Sequence, residues 1–459
     1  MEVLMETFLA LVGFVGLIAI VILLLLDKTT PQVTFILVSS FVGFGLVLLE
    51  NFGLPIGATL GVKDGVFSIK ALAGFIKGGV SSVLETTALF IFSILFFTIL
   101  SATGFFDKII NALIKKSGNN VYAVMFLTVL VAVIAHLDGS GASSFLIAIP
   151  ALLPVYERLG IRKTTLMLIL AASMGIMNLL PWGGPTLRVA SITQADVNTL
   201  WFSLMPMQIL GLLLALCLAL YMGYVEKKLG AGSLVDLHGE SAFAHIQDQT
   251  NHLKRESKFY INLVLLLGVI SLLFFSKLPI YFSFMLGSSL ALVVNYKDLS
   301  IQNEVVKDAA IASMMMATTL LAAGILIGIF DKTGIMKLMA SLILNFIPDS
   351  LGVYLPIFIG LLAVPMALIF CTDSYFYGIL PIVASVGSAF GIDALSLGIV
   401  MIVCRNCAAF ISPVVPAALL GCGLSGVSIK EHIKTSFFWL WGISIICLFA
   451  GIFLGIIKF

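Results

Sequence analysis

Charged residues are scarce in this chain. Asp, Glu, Lys and Arg make up 10% of its 459 residues, against about 25% in soluble domains. That leaves too few charges to cover a water-soluble globule, so a soluble enzyme or a disordered protein is excluded. The net charge of +2 gives no reason to expect a nucleic-acid partner. Six cysteines (Cys217, Cys371, Cys404, Cys407, Cys422, Cys447) fall in or beside apolar stretches, which excludes a secreted disulfide scaffold. Cys404 and Cys407 have CxxC spacing but lie in an apolar run with no second pair, so redox or zinc chemistry is not expected there. The first apolar run, Leu9 to Leu26, lacks a basic n-region and an A-x-A site and reads as a retained span.

Apolar residue is what the chain has in abundance, at 60% with a mean hydropathy of +1.16. A crossing of the hydrocarbon layer takes about 20 such residues. Transmembrane barrels alternate apolar and polar residues and are far more polar than this. An all-α polytopic protein, multi-pass in the cell (plasma or inner) membrane, is therefore predicted. Apolar runs fall near 8–26, 32–50, 87–104, 121–137, 165–190, 201–225, 258–275, 279–296, 312–330, 353–371, 393–421 and 434–457. The long polar connection at 226–257, with Lys227, Lys228, Lys254 and Arg255 and Lys258 just beyond, is predicted to be a cytoplasmic linker. Its histidines, His238, His245 and His252, recur every seven residues and read as one solvated face rather than a metal site.

The linker divides the chain into a first repeat at 1–225 and a second at 258–459. Each half opens with two close spans and a weakly amphipathic stretch, then reaches an acidic polar break at Asp138 or Asp373. A short apolar run with Pro150 or Pro381 follows, then a Gly-Ile turn and an interrupted helix. Asn178 and Asn406 are 228 residues apart (406 − 178), as are Pro185 and Pro413 (413 − 185). Such duplication, with helices broken near the midplane, marks secondary transporters. Six apolar runs per half predict parallel halves. An inverted pair requires one run per half to be amphipathic or re-entrant, and the spacing alone leaves both open.

Polar breaks at membrane depth survive only where protein or a wet cavity satisfies the backbone. Four are present. HLDGSGASSFLIAIPALLP carries Asp138, Ser140, Gly141, Ser143 and Ser144 before an apolar stretch, Phe145 to Leu153, too short to span. A re-entrant hairpin at about 138–158 is predicted. CTDSYFYGILPIV, with Thr372, Asp373 and Ser374, predicts its counterpart at about 372–388. NLLPWGGPTLR breaks a helix at about 165–195, and RNCAAFISPVVP breaks another at about 393–421. Gly or Ser before Pro reads as a helix start, at Gly183-Gly184-Pro185-Thr186 and at Ser412-Pro413. Each start aims free N–H groups and a positive dipole end at its break, where a carboxylate is favoured.

Asn178, Arg188, Arg405 and Asn406 complete the candidate substrate-binding set. An ionisable residue at depth is a functional-site hypothesis by default; the bland alternative is that Asp138 caps a hairpin helix or pairs with an arginine. His136 either packs beside the hairpin or titrates with Asp138, and Trp182 either lines the cavity or anchors the broken helix. An intramembrane aspartyl enzyme would also use Asp138 and Asp373. The symmetric breaks and the lack of a peptidase-like motif argue against it, so no enzymatic activity is predicted.

HLDGSGASSFLIAIPALLPVYERLG from His136 and MNLLPWGGPTLRVAS from Met177 closely resemble the citrate–divalent metal/proton symporters of the CitMHS family. TDSYFYGILPI from Thr372 and NCAAFISPVVPA from Asn406 look like the family's second-half motifs. The resemblance covers essentially the whole chain, in order and length. It implies the ion transporter superfamily architecture: two inverted repeats, each with a re-entrant hairpin and a broken helix, divided into a scaffold and a moving transport domain, in a homodimer. It implies citrate carried as a complex with Mg²⁺, Ca²⁺ or Zn²⁺ and driven by protons, with no resident cofactor. The metal is expected to arrive bound to citrate, and no motif states which is preferred. Asp138 and Asp373 are then the natural proton carriers, since burial favours the neutral carboxyl. The alternative is a permease for another organic acid, such as gluconate or a di- or tricarboxylate, possibly sodium-coupled.

Overall fold

The computed structural model describes residues 2–26, 28–118, 120–232, 251–276, 278–344 and 352–458. His238 and His245 lie outside them. His252 is described, with Nε2 2.9 Å from Glu304 Oε1 in a half-exposed pair. Among the described residues all regular structure is helical, and eight helices are long and apolar enough to cross a membrane. Val121–Ala135 illustrates why. Its sequence, VYAVMFLTVLVAVIA, is rich in β-branched residues that suit strands in water. In hydrocarbon a helix satisfies every backbone group within one segment, and that constraint wins.

The helices pack into two bodies with separate apolar cores. One core draws on residues from 110–231 and 363–457, the other on 9–106 and 253–339. Each body therefore combines both halves of the chain. Among the described buried residues, Met177, Leu180, Trp182, Leu187 and Tyr377 leave the first body to join the second core, and all five lie at or near breaks. Within the second body, Gly79 packs directly on the backbone of Gly324 and Gly328, so two of its helices meet at backbone distance.

The first body repeats one order of elements. Val121–Ala135 leads to Gly141–Arg158, then Lys163–Met177 and Gly184–Thr193, then Val197–Lys228. Leu355–Ala367 leads to Ser374–Ile379 and Leu380–Ala389, then Ala394–Asn406 and Pro416–Ser425, then Ile429–Phe453. Contacts along these helices decide the question the spacing left open. Arg158 Nη2 donates to the Gly118 carbonyl at 3.4 Å, and Tyr156 Oη lies 2.8 Å from Thr128 Oγ1. The chain thus enters with Val121–Ala135 and returns to the same face with Gly141–Arg158. Lys163–Met177 starts from that face, so Gly184–Thr193 points away from it. Pro416–Ser425 instead runs alongside Gly141–Arg158, with Ala417 on Gly141 and Gly421 on Phe145, and points toward that face. Gly398, early in the second broken helix, packs on Val189 near the end of the first. Equivalent half-helices point in opposite directions, and the repeats are inverted. The even count per half fails because the run at 121–137 is one limb of a unit that returns to its own side.

Two local readings need correction. Phe145 to Leu153 is not a short run but the middle of the 18-residue helix Gly141–Arg158, which absorbs both Pro150 and Pro154. The second broken helix does not restart at Ser412-Pro413. It restarts at Pro416, after a turn in which the Val415 N–H donates to the Ser412 carbonyl at 3.2 Å. Pro416 follows Pro185 by 231 residues (416 − 185), and Ala394 follows Lys163 by the same distance (394 − 163); this is the structural period.

Candidate functional site

The four breaks meet. Trp182, in the first broken helix, donates from Nε1 to the Leu137 carbonyl at the first hairpin tip, at 2.7 Å. Gly141, at that tip, packs on Phe410 and Ala417 of the second broken helix. Arg188 donates from Nε to Asp373 Oδ1 at 2.8 Å, joining the first broken helix to the second hairpin tip. Arg405 Nη2 donates to the Phe370 carbonyl at 3.4 Å, joining the second broken helix to the same tip. The two broken helices touch where Gly175 faces the Asn406 carbonyl.

At the first tip Gly139 turns the chain with φ 70°, a left-handed conformation that suits glycine. Ser140 N-caps Gly141–Arg158 and accepts from the Ser143 N–H at 3.4 Å. Asp138 accepts from the Ser140 N–H at 2.8 Å and from the Ser143 hydroxyl. Ser144 is buried and donates to the Ser140 carbonyl at 2.6 Å. His136 is fully buried between Ser144 and Asn178.

At the first break Asn178 ends Lys163–Met177, and its carbonyl accepts from the Thr186 hydroxyl at 3.1 Å. Gly183 is the N-cap and Pro185 sits in the first turn of Gly184–Thr193. This is the predicted helix start, where unpaired N–H groups face the break. Arg188, buried one turn further on, is held by Asp373 and by Met316 Sδ of the second body at 3.6 Å from Nη2.

At the second tip Thr372 is half-buried, while the Ser374 hydroxyl turns back to the Cys371 carbonyl at 3.1 Å. Ser374–Ile379 is a π-helical turn, a form concentrated at functional sites. Arg405 is fully buried, with its guanidinium 5.4 Å from the Tyr375 ring centre and 5.7 Å from that of Phe376. Among the described residues its Nε and Nη1 have no hydrogen-bond partner, nor do Oδ1 and Nδ2 of Asn406 or Oγ of Ser412. Buried polar groups are otherwise almost always paired. Ser412 is thus buried in the break, but it does not cap a helix.

Sequence reasoning passed over Met316 and Tyr375. Met316 sits in the long helix Leu299–Leu326, where nothing local distinguishes it. Tyr375 could have been found as the aromatic next to Ser374, since a buried cation is favoured beside a ring face. Among the described residues, no three His, Cys, Asp or Glu side chains are grouped to hold a metal ion.

A cavity of about 640 Å³ separates the two bodies on the face away from Arg158, lined by Glu85 and Thr86 on one wall and by Gln194, Asp196 and Asn198 on the other. Ala190 also lines it, two residues past Arg188. Toward the opposite face, Trp182 packs on Phe97 at 5.4 Å and on Phe284 at 5.3 Å between ring centres. The bodies are therefore parted on one side of the breaks and sealed by aromatic rings on the other.

A family model described as "Citrate transporter" (CitMHS) matches residues 1–404. A "Citrate transporter" of Bacillus subtilis (strain 168) is 30% identical over 451 residues, covering 98% of this chain and 100% of the relative. A "Mg(2+)/citrate complex secondary transporter" of the same organism is 29% identical over 402 residues, covering 86% and 92%. The crystal structure of the Alcanivorax borkumensis YdaH transporter is similar with a TM-score of 0.64 and 14% identity, covering 93% of this chain and 99% of that one, which is a likeness of fold.

Proposed function

Because the chain belongs to the CitMHS citrate transporter family, as a multi-pass membrane protein, we propose that it takes up citrate as a complex with a divalent metal, in symport with protons. The carrying observation is Arg405. A fully buried guanidinium with Nε and Nη1 unpartnered, next to the unpartnered amide of Asn406 and hydroxyl of Ser412, lacks an acceptor, and a carboxylate supplies one in the geometry a guanidinium favours.

Charge favours the chelate over bare citrate. Citrate carries about three negative charges at neutral pH, and a divalent cation reduces this to about one. The site holds two arginines, Arg188 and Arg405, against Asp138 and Asp373, so its formal charges cancel when both acids are ionised. One proton on either aspartate leaves a net charge of +1, which matches the chelate, and burying an unmatched charge is costly. Asp373 is tied to Arg188; an arriving carboxylate on Arg188 would release it to accept a proton. Asp138, which among the described residues accepts hydrogen bonds from Ser140 and Ser143 of its own tip, is the other aspartate able to carry that proton. The metal travels on citrate oxygens, with Mg²⁺ keeping waters.

The test is uptake of labelled citrate into proteoliposomes under an imposed proton gradient. Uptake is expected to rise when Mg²⁺, Ca²⁺ or Zn²⁺ is added and to collapse with a protonophore. Equal uptake of free citrate in chelator would remove the metal complex from the reading. Preferential uptake of gluconate or a dicarboxylate, or dependence on sodium, would replace it.

A further inference from the structure

The hydrogen-bond chain through His136 has a proton count that its neutral form does not satisfy. His136 Nδ1 lies 2.6 Å from Ser144 Oγ, and Ser144 Oγ lies 2.6 Å from the Ser140 carbonyl oxygen. The hydroxyl has one hydrogen. Ser144 Oγ also lies 3.2 Å from the Ala135 carbonyl oxygen. Both carbonyls can only accept, and the 2.6 Å contact is that of an O–H···O bond, so the hydrogen points at Ser140 and His136 Nδ1 donates to Ser144. The other ring nitrogen, Nε2, faces Asn178 Oδ1 at 3.0 Å. A ring already protonated at Nδ1 has only a lone pair there, which would oppose the lone pairs of Oδ1. The arrangement is complete with two ring protons. With one, the Asn178 amide must turn over and offer Nδ2–H to the ring.

We propose that His136 is a positioning residue that takes up a proton as the anion binds and thereby turns the Asn178 amide from acceptor to donor toward the break. This inference rests on the anion-uptake reading above. Asn178 ends the first half-helix and faces His136 through Oδ1, so whichever amide atom His136 does not take is the one left for the break. With His136 charged, that atom is the donor a carboxylate requires. With His136 neutral, it is an oxygen that repels one.

Few charges compete for this role. The helices packed on the tip, Leu84–Ala102, Val121–Ala135, Gly141–Arg158 and Lys163–Met177, carry charged side chains only at their outer ends. These are Glu85, Glu157 with Arg158, and Lys163. Asp138 is two residues away but turned to Ser140 and Ser143. Phe410 packs edge-on to the ring at 5.3 Å, and its carbonyl is bonded to His432 at 3.1 Å; Arg405 lies on the same broken helix, turned to Phe370.

The test is calorimetric titration of the purified, detergent-solubilised protein with Mg²⁺–citrate, in buffers of different ionisation enthalpy, across about pH 5 to 8. The protons taken up per anion bound are compared for wild type, His136→Gln, Asn178→Leu and Asp138→Asn. Wild type is expected to bind more tightly as pH falls, by up to tenfold per unit for each linked proton. His136→Gln is expected to lower the count by up to one and flatten the profile accordingly. Asn178→Leu, which keeps the ring but removes the amide, is expected to do the same, and it carries the test should His136→Gln fail to fold. An unchanged count in both variants, or a deficit found only in Asp138→Asn, would overturn the role of His136. Should Mg²⁺–citrate fail to bind while gluconate or a dicarboxylate binds, the citrate reading falls and the same count, made with that anion, still judges His136. Binding of none of them removes both.

Discussion

Arg188 and Asp373 form an ion pair of 2.8 Å between side chains 7% and 19% exposed, across 185 residues of chain. It ties the first broken helix to the second hairpin tip. Removing one partner leaves a buried charge uncompensated, which costs about 3–5 kcal/mol. Asp373→Asn and Arg188→Gln are each expected to lower the melting temperature and abolish uptake. The double variant removes both charges and is expected to recover most of the stability without recovering uptake. Equal melting of single and double variants would show that the pair is not coupled.

Gly175 is the second constraint. A methyl group at its Cα would stand 2.3 Å from the Asn406 carbonyl oxygen, a backbone atom that cannot move aside without shifting the second break. Gly175→Ala is expected to cost about 1–3 kcal/mol, as overpacking does, and to reduce uptake by more than the loss of folded protein explains. Melting curves and uptake per folded molecule separate the two effects.

Much of this arrangement was legible because it is locally encoded. Gly183, Gly184 and Pro185 specify a helix start by their own backbone preferences, and the helix begins there. Ser412-Pro413 misled because Ser-Pro opens a turn as readily as a helix; the choice between them lies in Pro416, three residues on. Phe145 to Leu153 looked short because prolines usually end helices in water. Here Pro150 and Pro154 are absorbed within Gly141–Arg158, since neighbouring helices can satisfy the freed backbone groups at membrane depth. The inversion was legible only through the family resemblance, not through the spacing of the runs. It follows from which face Gly118, Arg158 and Ser425 share, and no spacing carries that. Met316 was equally hidden, because its contact with Arg188 comes from the apolar part of a long helix, where no polar break marks it.

Arg405 offers a test of how the anion is held. Its guanidinium lies over Tyr375 and Phe376 and presents Nε and Nη1 without partners. Lysine keeps the charge but has neither the planar fork nor the stacking face. Arg405→Lys is expected to fold and to raise the KM for Mg²⁺–citrate by about 10-fold to 100-fold, equivalent to losing about 1–3 kcal/mol. An unchanged KM would mean that charge alone suffices there.

Trp182 separates sealing from anchoring. Its indole N–H reaches the Leu137 carbonyl at 2.7 Å, which fixes the first tip against the first break. Its ring packs on Phe97 and Phe284 of the other body, which closes the seam on the linker side. Trp182→Phe keeps a ring in the seam and loses only the hydrogen bond, worth about 1 kcal/mol; uptake is expected to fall several-fold while staying dependent on the proton gradient. Trp182→Ala removes both and costs about 3–5 kcal/mol in stability. At temperatures where it remains folded, uptake is expected to lose its dependence on the gradient, because the cavity beside Glu85 and Asp196 then has no barrier beneath it. Citrate efflux from preloaded proteoliposomes without a gradient reads this directly. Tight vesicles with the alanine variant would assign Trp182 to anchoring alone and move the seal to Phe97 and Phe284.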